Sequence, residues 1–175
     1  MISIFYLFLF TFLSGIYVKY SDYLVDTKKH TNKKTIIFFG MFYGFLLFVT
    51  LYLFPQISSI WFGILLGLLL IGKIDNLIHY LGVGFFLILS LLFQITLTDK
   101  IFFIIFIIIC IFEEILNDFL DSIKRKNSFI KFLQLRPLLE ITTFIVSIIS
   151  GNWFIWFSLL GFDLGYITIK YWSEK

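Results

Sequence analysis

The chain has 175 residues, of which 60% are hydrophobic and 22% aromatic, and its formal net charge is +3. A soluble domain of this length has too little interior to bury so much apolar surface, so the composition excludes an ordinary soluble protein and indicates an integral membrane protein. The small charge excess gives no reason to expect nucleic acid as a partner.

Seven apolar segments follow one another along the chain and predict an all-α fold, a polytopic membrane bundle of about seven transmembrane helices. We expect a single domain over residues 1–175. The sixth segment is too short to cross a hydrocarbon layer of ~30 Å unaided, so it is extended, tilted or re-entrant. The segments are residues 2–20, 35–54, 57–72, 77–97, 101–120, 138–150 and 152–171.

The second and third segments contain glycines at small-xxx-small spacing, Gly40 with Gly44 and Gly63 with Gly67. Such spacing lets helix backbones approach closely. We expect these glycines to pack this helical hairpin inside the monomer, with dimerisation as the alternative.

The basic residues are distributed on one side of the predicted membrane. Of the 14 lysine and arginine residues, all but Lys100 lie near segment ends that share one side when successive segments cross in opposite directions. The turns Pro55-Gln56 and Gly151-Asn152, on the other side, are uncharged. By the positive-inside rule the basic side is cytoplasmic, which predicts a multi-pass cell-membrane protein with its N-terminus outside and its C-terminus in the cytoplasm.

The fifth segment becomes acidic towards its cytoplasmic end. It begins with an apolar run from Ile101 to Phe112. The polar residues that follow fall within an arc of about 140° on a helix of ~100° per residue. They are Glu113, Glu114, Asn117, Asp118 and Asp121. Ionisable groups at membrane depth are costly, so this face predicts a functional site.

Other polar side chains recur at the same level on other segments. Asp75 and His79 are separated by one helical turn and form the predicted acid–base pair. Several carboxylates gathered in a medium of reduced dielectric need cations, and Mg²⁺ prefers carboxylates together with water and phosphate oxygens. The predicted Mg²⁺ ligands are Asp22, Asp26, Glu113, Glu114, Asp118 and Asp163, and the predicted phosphate-binding residues are Lys19, Lys73 and Arg136.

Arg136 has a second interpretation, because it lies one helical turn before Glu140 at the start of the sixth segment. That spacing suits a structural ion pair.

Two short segments resemble a known family. The run from Asn117 to Asp121, followed by Arg136-Pro137-Leu138, is similar to the first aspartate-rich motif of UbiA-type prenyltransferases. Asp22 and Asp26 have the Asp-x-x-x-Asp spacing that these enzymes also use. The resemblance implies prenyl transfer as one form of lipid-phosphate chemistry.

These patterns lead to one main hypothesis, a Mg²⁺-dependent membrane enzyme that acts on a lipid phosphate or diphosphate at the cytoplasmic face. Membrane lipids are the expected partners and a lipid phosphate the expected substrate. Two alternatives stay open. The chain is a small cation- or proton-coupled transporter that uses Glu113, Glu114 and Asp163 as an intramembrane relay, or it is a non-catalytic membrane subunit whose acidic residues bind a partner.

Overall fold

The structure, a computed structural model, describes residues 2–26, 33–123, 130 and 137–173. Seven α-helices account for most of these ranges, and no strand occurs within them, which confirms the all-α prediction. A short 3-10 turn, Pro55–Ile57, precedes the third helix. The helices are α1 (Ile2–Asp26), α2 (Lys33–Leu53), α3 (Ser58–Leu70), α4 (Leu77–Leu92), α5 (Lys100–Ser122), α6 (Pro137–Ser150) and α7 (Phe154–Ser173).

The connections meet at two ends of the bundle, so consecutive helices run in opposite directions. At the end that we call the turn end, Asp99 N donates to Ser59 Oγ at 2.8 Å, and Asn152 Nδ2 donates to the Gln56 carbonyl at 3.3 Å. At the opposite end, which we call the charged end, Lys73 contacts Asp118. Among the described residues, Asp22, Lys73, His79, Glu114 and Asp118 all have their contacts at this end.

Glycines allow three pairs of helices to approach closely. α1 packs most extensively against α7, α2 against α4, and α3 against α5. A Cβ on Gly44 would meet the carbonyl oxygen of Gly82, and one on Gly15 would meet that of Phe162, so any side chain there would force the helices apart. The expected packing inside the chain is present, but the α2 and α3 glycines contact α4 and α5 and not each other.

Within the part of the chain that the structure describes, two helical stretches, Ser3–Val25 and Lys34–Leu53, are long and apolar enough to cross a membrane, so about seven crossings stays a prediction. Pro55–Leu70, Leu77–Leu92 and Pro137–Ser150 are apolar but shorter. Large apolar side chains also cover much of the outer surface. Leu91 is 79% exposed and Ile149 72% exposed. Apolar surface exposed on this scale marks contact with a membrane or with another protein.

Candidate functional site

The first polar group at the charged end is centred on Asp22, near the C-terminal end of α1. His79 Nε2 lies 2.6 Å from Asp22 Oδ1. Asp22 Oδ2 accepts a hydrogen bond from Tyr166 Oη at 3.2 Å and lies 3.5 Å from Lys19 Nζ. We call Lys19, Asp22, Tyr43, His79 and Tyr166 the Asp22 cluster; it joins α1, α2, α4 and α7.

The start of α4 fixes the position of His79. Asn76 precedes the helix in an extended conformation, and its Oδ1 accepts a hydrogen bond from His79 N at 3.0 Å. This is a standard N-cap arrangement. Tyr43 Oη donates to the His79 carbonyl at 3.0 Å and lies 3.3 Å from Nδ1. A proton on Nε2 faces the Asp22 carboxylate, whereas the Tyr43 hydroxyl has one proton and cannot donate it to the His79 carbonyl and to Nδ1 at once.

The cluster is partly open at the charged end. The side chains of Lys19, Asp22 and His79 are 18%, 24% and 14% exposed, whereas Tyr43 is buried behind His79. The Lys19 ammonium also lies 5.0 Å from the centre of the Tyr166 ring. A carboxylate that orients an imidazole is the usual setting for a histidine general acid or base. An adjacent ammonium adds a group that can bind an anion.

A second cluster lies between α5 and the segment that precedes α4. Lys73 Nζ contacts Asp118 Oδ1 and lies 4.0 Å from Glu114 Oε2. The Glu114 side chain is only 5% exposed, and that of Asp118 is 62% exposed. The predicted shared face of Glu114 and Asp118 is therefore present. Like-charge repulsion between the two carboxylates is offset here by a lysine ammonium.

Glu113 is used for a different purpose from its neighbour Glu114. Its Oε1 accepts a hydrogen bond from Leu138 N at 2.8 Å, and its Oε2 accepts one from Leu139 N at 3.1 Å. The residue is 1% exposed. The first N–H groups of a helix have no partner within the helix, and a carboxylate there is favourable to the helix dipole. Glu113 thus caps α6 and holds it against α5.

Asp163 of α7 interacts with Glu140, the residue whose spacing in the sequence suits an ion pair with Arg136. Its carboxyl group interacts with that of Glu140, whose Oε2 accepts a hydrogen bond from Trp156 Nε1 at 3.1 Å. Arg136, which the sequence places one turn before Glu140, lies outside the described residues, as does the side chain of Asp26.

The predicted site residues therefore occupy separate places. Asp22 and His79 come together with Lys19. Glu114 and Asp118 come together with Lys73, while Glu113 and Asp163 each contact α6 or a residue on it. Asp75 is exposed and accepts a hydrogen bond only from Asn76 among the contacts described, so the carboxylate at His79 is that of Asp22. Within the described ranges no group of three or more His, Cys, Asp or Glu residues is placed to hold a metal ion.

Sequence reasoning did not single out Tyr43. An isolated tyrosine in an apolar helix carries no signal in its spacing, and only the packing of α2 on α4 places it at His79. Tyr166 did have a signal, because it lies one turn after Asp163 on the same face of α7.

Comparisons of the chain with protein-family models, with curated proteins and with solved structures found no match. The resemblance of the segment from Asn117 to Asp121 to prenyltransferases is therefore not a family assignment.

Proposed function

We propose that the chain is a membrane enzyme that acts on a lipid phosphate or diphosphate, with the Asp22 cluster as its centre. The observation that supports this most directly is the imidazole of His79, held by the Asp22 carboxylate beside the Lys19 ammonium and partly exposed. In this proposal the Asp22–His79 pair exchanges a proton with the substrate, and Lys19 offsets phosphate charge. Lys73 and Arg136 remain proposed phosphate-binding residues.

The distribution of charge along the chain favours an enzyme over a transporter. Residues 2–18, 35–72 and 80–98 contain no acidic or basic residue and no histidine. A route for an ion through the bundle needs polar groups along its whole length. The turn-end halves of α1 to α4 provide none of the charged groups that such a route uses. The polar residues at the charged end are better suited to chemistry at one membrane surface.

A direct assay tests this function. The full chain, purified in detergent, is incubated with a polyprenyl diphosphate or with phosphatidic acid, and the release or transfer of phosphate is measured together with the lipids that co-purify. We expect turnover of a lipid phosphate or diphosphate. No turnover of either class would contradict the proposal.

We propose further that all seven helices cross the membrane, with the N-terminus outside. The support is that the two uncharged turns and the turn at Asp99 meet at one end, whereas Lys73 and Asp118 meet at the other. Reporter fusions at Gln56 and Asn152 are expected to give an external signal, and those at Asn127 and Lys175 a cytoplasmic one. A cytoplasmic signal at Asn152 would contradict seven crossings.

Mg²⁺ as a cofactor stays a prediction, and its best-placed ligands are Glu114 and Asp118. A divalent cation there must displace the Lys73 ammonium, which contacts Asp118. We expect Mg²⁺ to raise the melting temperature of the protein, because binding to the native state stabilises it. The shift is expected to grow in Lys73→Gln, where the competing ammonium is gone, and to disappear in Asp118→Asn. If Mg²⁺ leaves the melting temperatures of all three proteins unchanged, this site is excluded.

A proton-coupled transporter is the second candidate, because the carboxyl groups of Glu140 and Asp163 interact between α6 and α7. Such a pair holds a proton that can be released when the helices move. In that case proton-driven uptake into vesicles would be lost in Asp163→Asn, and the lipid-phosphate assay would show no turnover.

A further inference from the structure

An apolar groove of about 530 Å³ runs along the outer face of α2. Residues Ile37, Phe38, Met41 and Phe45 line it from α2, and Phe85 lines it from α4. Lys34 is the charged residue among the lining residues that the structure describes, and it is exposed at the first turn of α2. The groove is thus apolar along its length and cationic at one end.

The length of the groove matches one leaflet of a membrane. From Lys34 to Phe45, the lining residues follow one face of α2 and extend ~16 Å at ~1.5 Å per residue. Half of a hydrocarbon core of ~30 Å is about 15 Å. An extended acyl chain in the cytoplasmic leaflet therefore has the length that the groove offers.

The charge at Lys34 indicates the head group that accompanies this chain. The ammonium lies in the first turn of α2, where the helix dipole also favours an anion. A phosphate at the charged end interacts favourably with the Lys34 ammonium and with the helix dipole. A membrane of anionic lipids also attracts lysines at this depth. An uncharged or zwitterionic lipid gains less from the same position.

We propose that this groove binds one acyl chain of an anionic phospholipid, with the lipid phosphate at Lys34. The site needs no catalytic step and stands whether or not the Asp22 cluster is an active site. It commits to a membrane phospholipid as occupant. A polyprenyl phosphate, whose chain exceeds the length of one leaflet, is an alternative that the experiment separates.

Native mass spectrometry of the full chain tests the proposal. The protein is purified in detergent and titrated with an equal mixture of phosphatidylglycerol and phosphatidylcholine. We expect the wild type to retain phosphatidylglycerol in preference. Lys34→Gln is expected to reduce that preference about fivefold. The matched control is Lys100→Gln, which removes the same charge at the turn end and is expected to change nothing.

A second pair of variants tests the apolar part. Met41→Trp fills the groove and is expected to lower the retention of both lipids, whereas Ile104→Trp, on an exposed position of α5 outside the groove, is not. If Met41→Trp fails to fold, the lipid preference of Lys34→Gln alone tests the proposal. Equal retention of both lipids by the wild type, or equal behaviour of Lys34→Gln and Lys100→Gln, would show non-specific lipid only. Displacement of phosphatidylglycerol by a polyprenyl phosphate would also overturn the assignment.

These outcomes separate the groove from the proposed enzyme. None of the four variants changes a residue of the Asp22 cluster. Turnover of a lipid phosphate without selective retention of phosphatidylglycerol would reject the groove and leave the enzyme. Selective retention of phosphatidylglycerol without turnover of a lipid phosphate would support the groove and reject the enzyme.

Discussion

Replacing His79 with glutamine is expected to lower turnover of the lipid phosphate by ~10²–10⁴-fold, the usual contribution of a general acid or base. In the wild type, Asp22 Oδ1 lies 2.6 Å from His79 Nε2. A glutamine at position 79 can still donate a hydrogen bond to this carboxylate, but it cannot take up or release a proton. The effect should therefore appear in kcat and in the pH profile, with KM little changed. The measurement is steady-state turnover with the lipid phosphate identified in the first assay.

Asp75→Asn is the matched control for this experiment. Asp75 is exposed and lies one helical turn before His79 in sequence, but the imidazole is bonded to Asp22. We expect Asp75→Asn to retain nearly full turnover. If it loses as much as His79→Gln, the Asp75–His79 pair that the sequence predicts is the functional one, and the Asp22 cluster is a structural tie between helices. A melting curve of each variant separates lost chemistry from lost folding.

Replacing Glu113 with alanine is expected to cost roughly 3 kcal/mol of the free energy of unfolding. The carboxylate accepts hydrogen bonds from Leu138 N and Leu139 N, and its side chain is fully buried. Alanine leaves both donors without an acceptor in an apolar setting and removes the α5–α6 contact. Glu113→Gln retains one acceptor oxygen and is expected to lose less. Reversible unfolding in mixed detergent micelles measures both values.

Asp118→Ala provides the comparison on the same helix. Its side chain is 62% exposed and contacts a lysine that is itself partly exposed, so its loss is expected to cost less than ~1 kcal/mol. If Glu113→Ala lowers the free energy of unfolding as little as Asp118→Ala does, the cap on α6 contributes little to stability. The adjacent Glu114 is unsuitable as a control, because it too is buried.

Hydropathy alone predicts the seven described helices because each contains a continuous apolar run, and their bounds agree with the predicted segments to within a few residues at most ends. The largest differences have local causes. α4 ends at Leu92, where Gln94 adopts φ 54°, although the apolar residues continue through Ile95 and Leu97. α1 continues to Asp26, past the end of its apolar run, and Asp22 in this extension contacts His79 of α4 and Tyr166 of α7.

The site was predictable only where it depends on spacing within one helix. Glu114 and Asp118 share a face because they are four residues apart, and Lys73 could be named as a basic neighbour but not as their direct partner. The Asp22–His79 contact joins positions 57 residues apart, so helix packing decides it. Glu113 and Glu114 are adjacent, yet a rotation of ~100° between them directs one to α6 and the other to Lys73. No composition or periodicity distinguishes these two roles.

The extensive packing of α1 on α7 has a consequence for biosynthesis. Gly15 contacts the backbone of Phe162, and Asp22 accepts a hydrogen bond from Tyr166. Neither contact can form before α7 has been synthesised. At 5–20 residues per second, α7 leaves the ribosome on the order of ten seconds after α1. During that interval α1 has a glycine-lined face and a carboxylate that have not met their partners. The nascent helix is therefore open to competing partners until translation of α7 is complete.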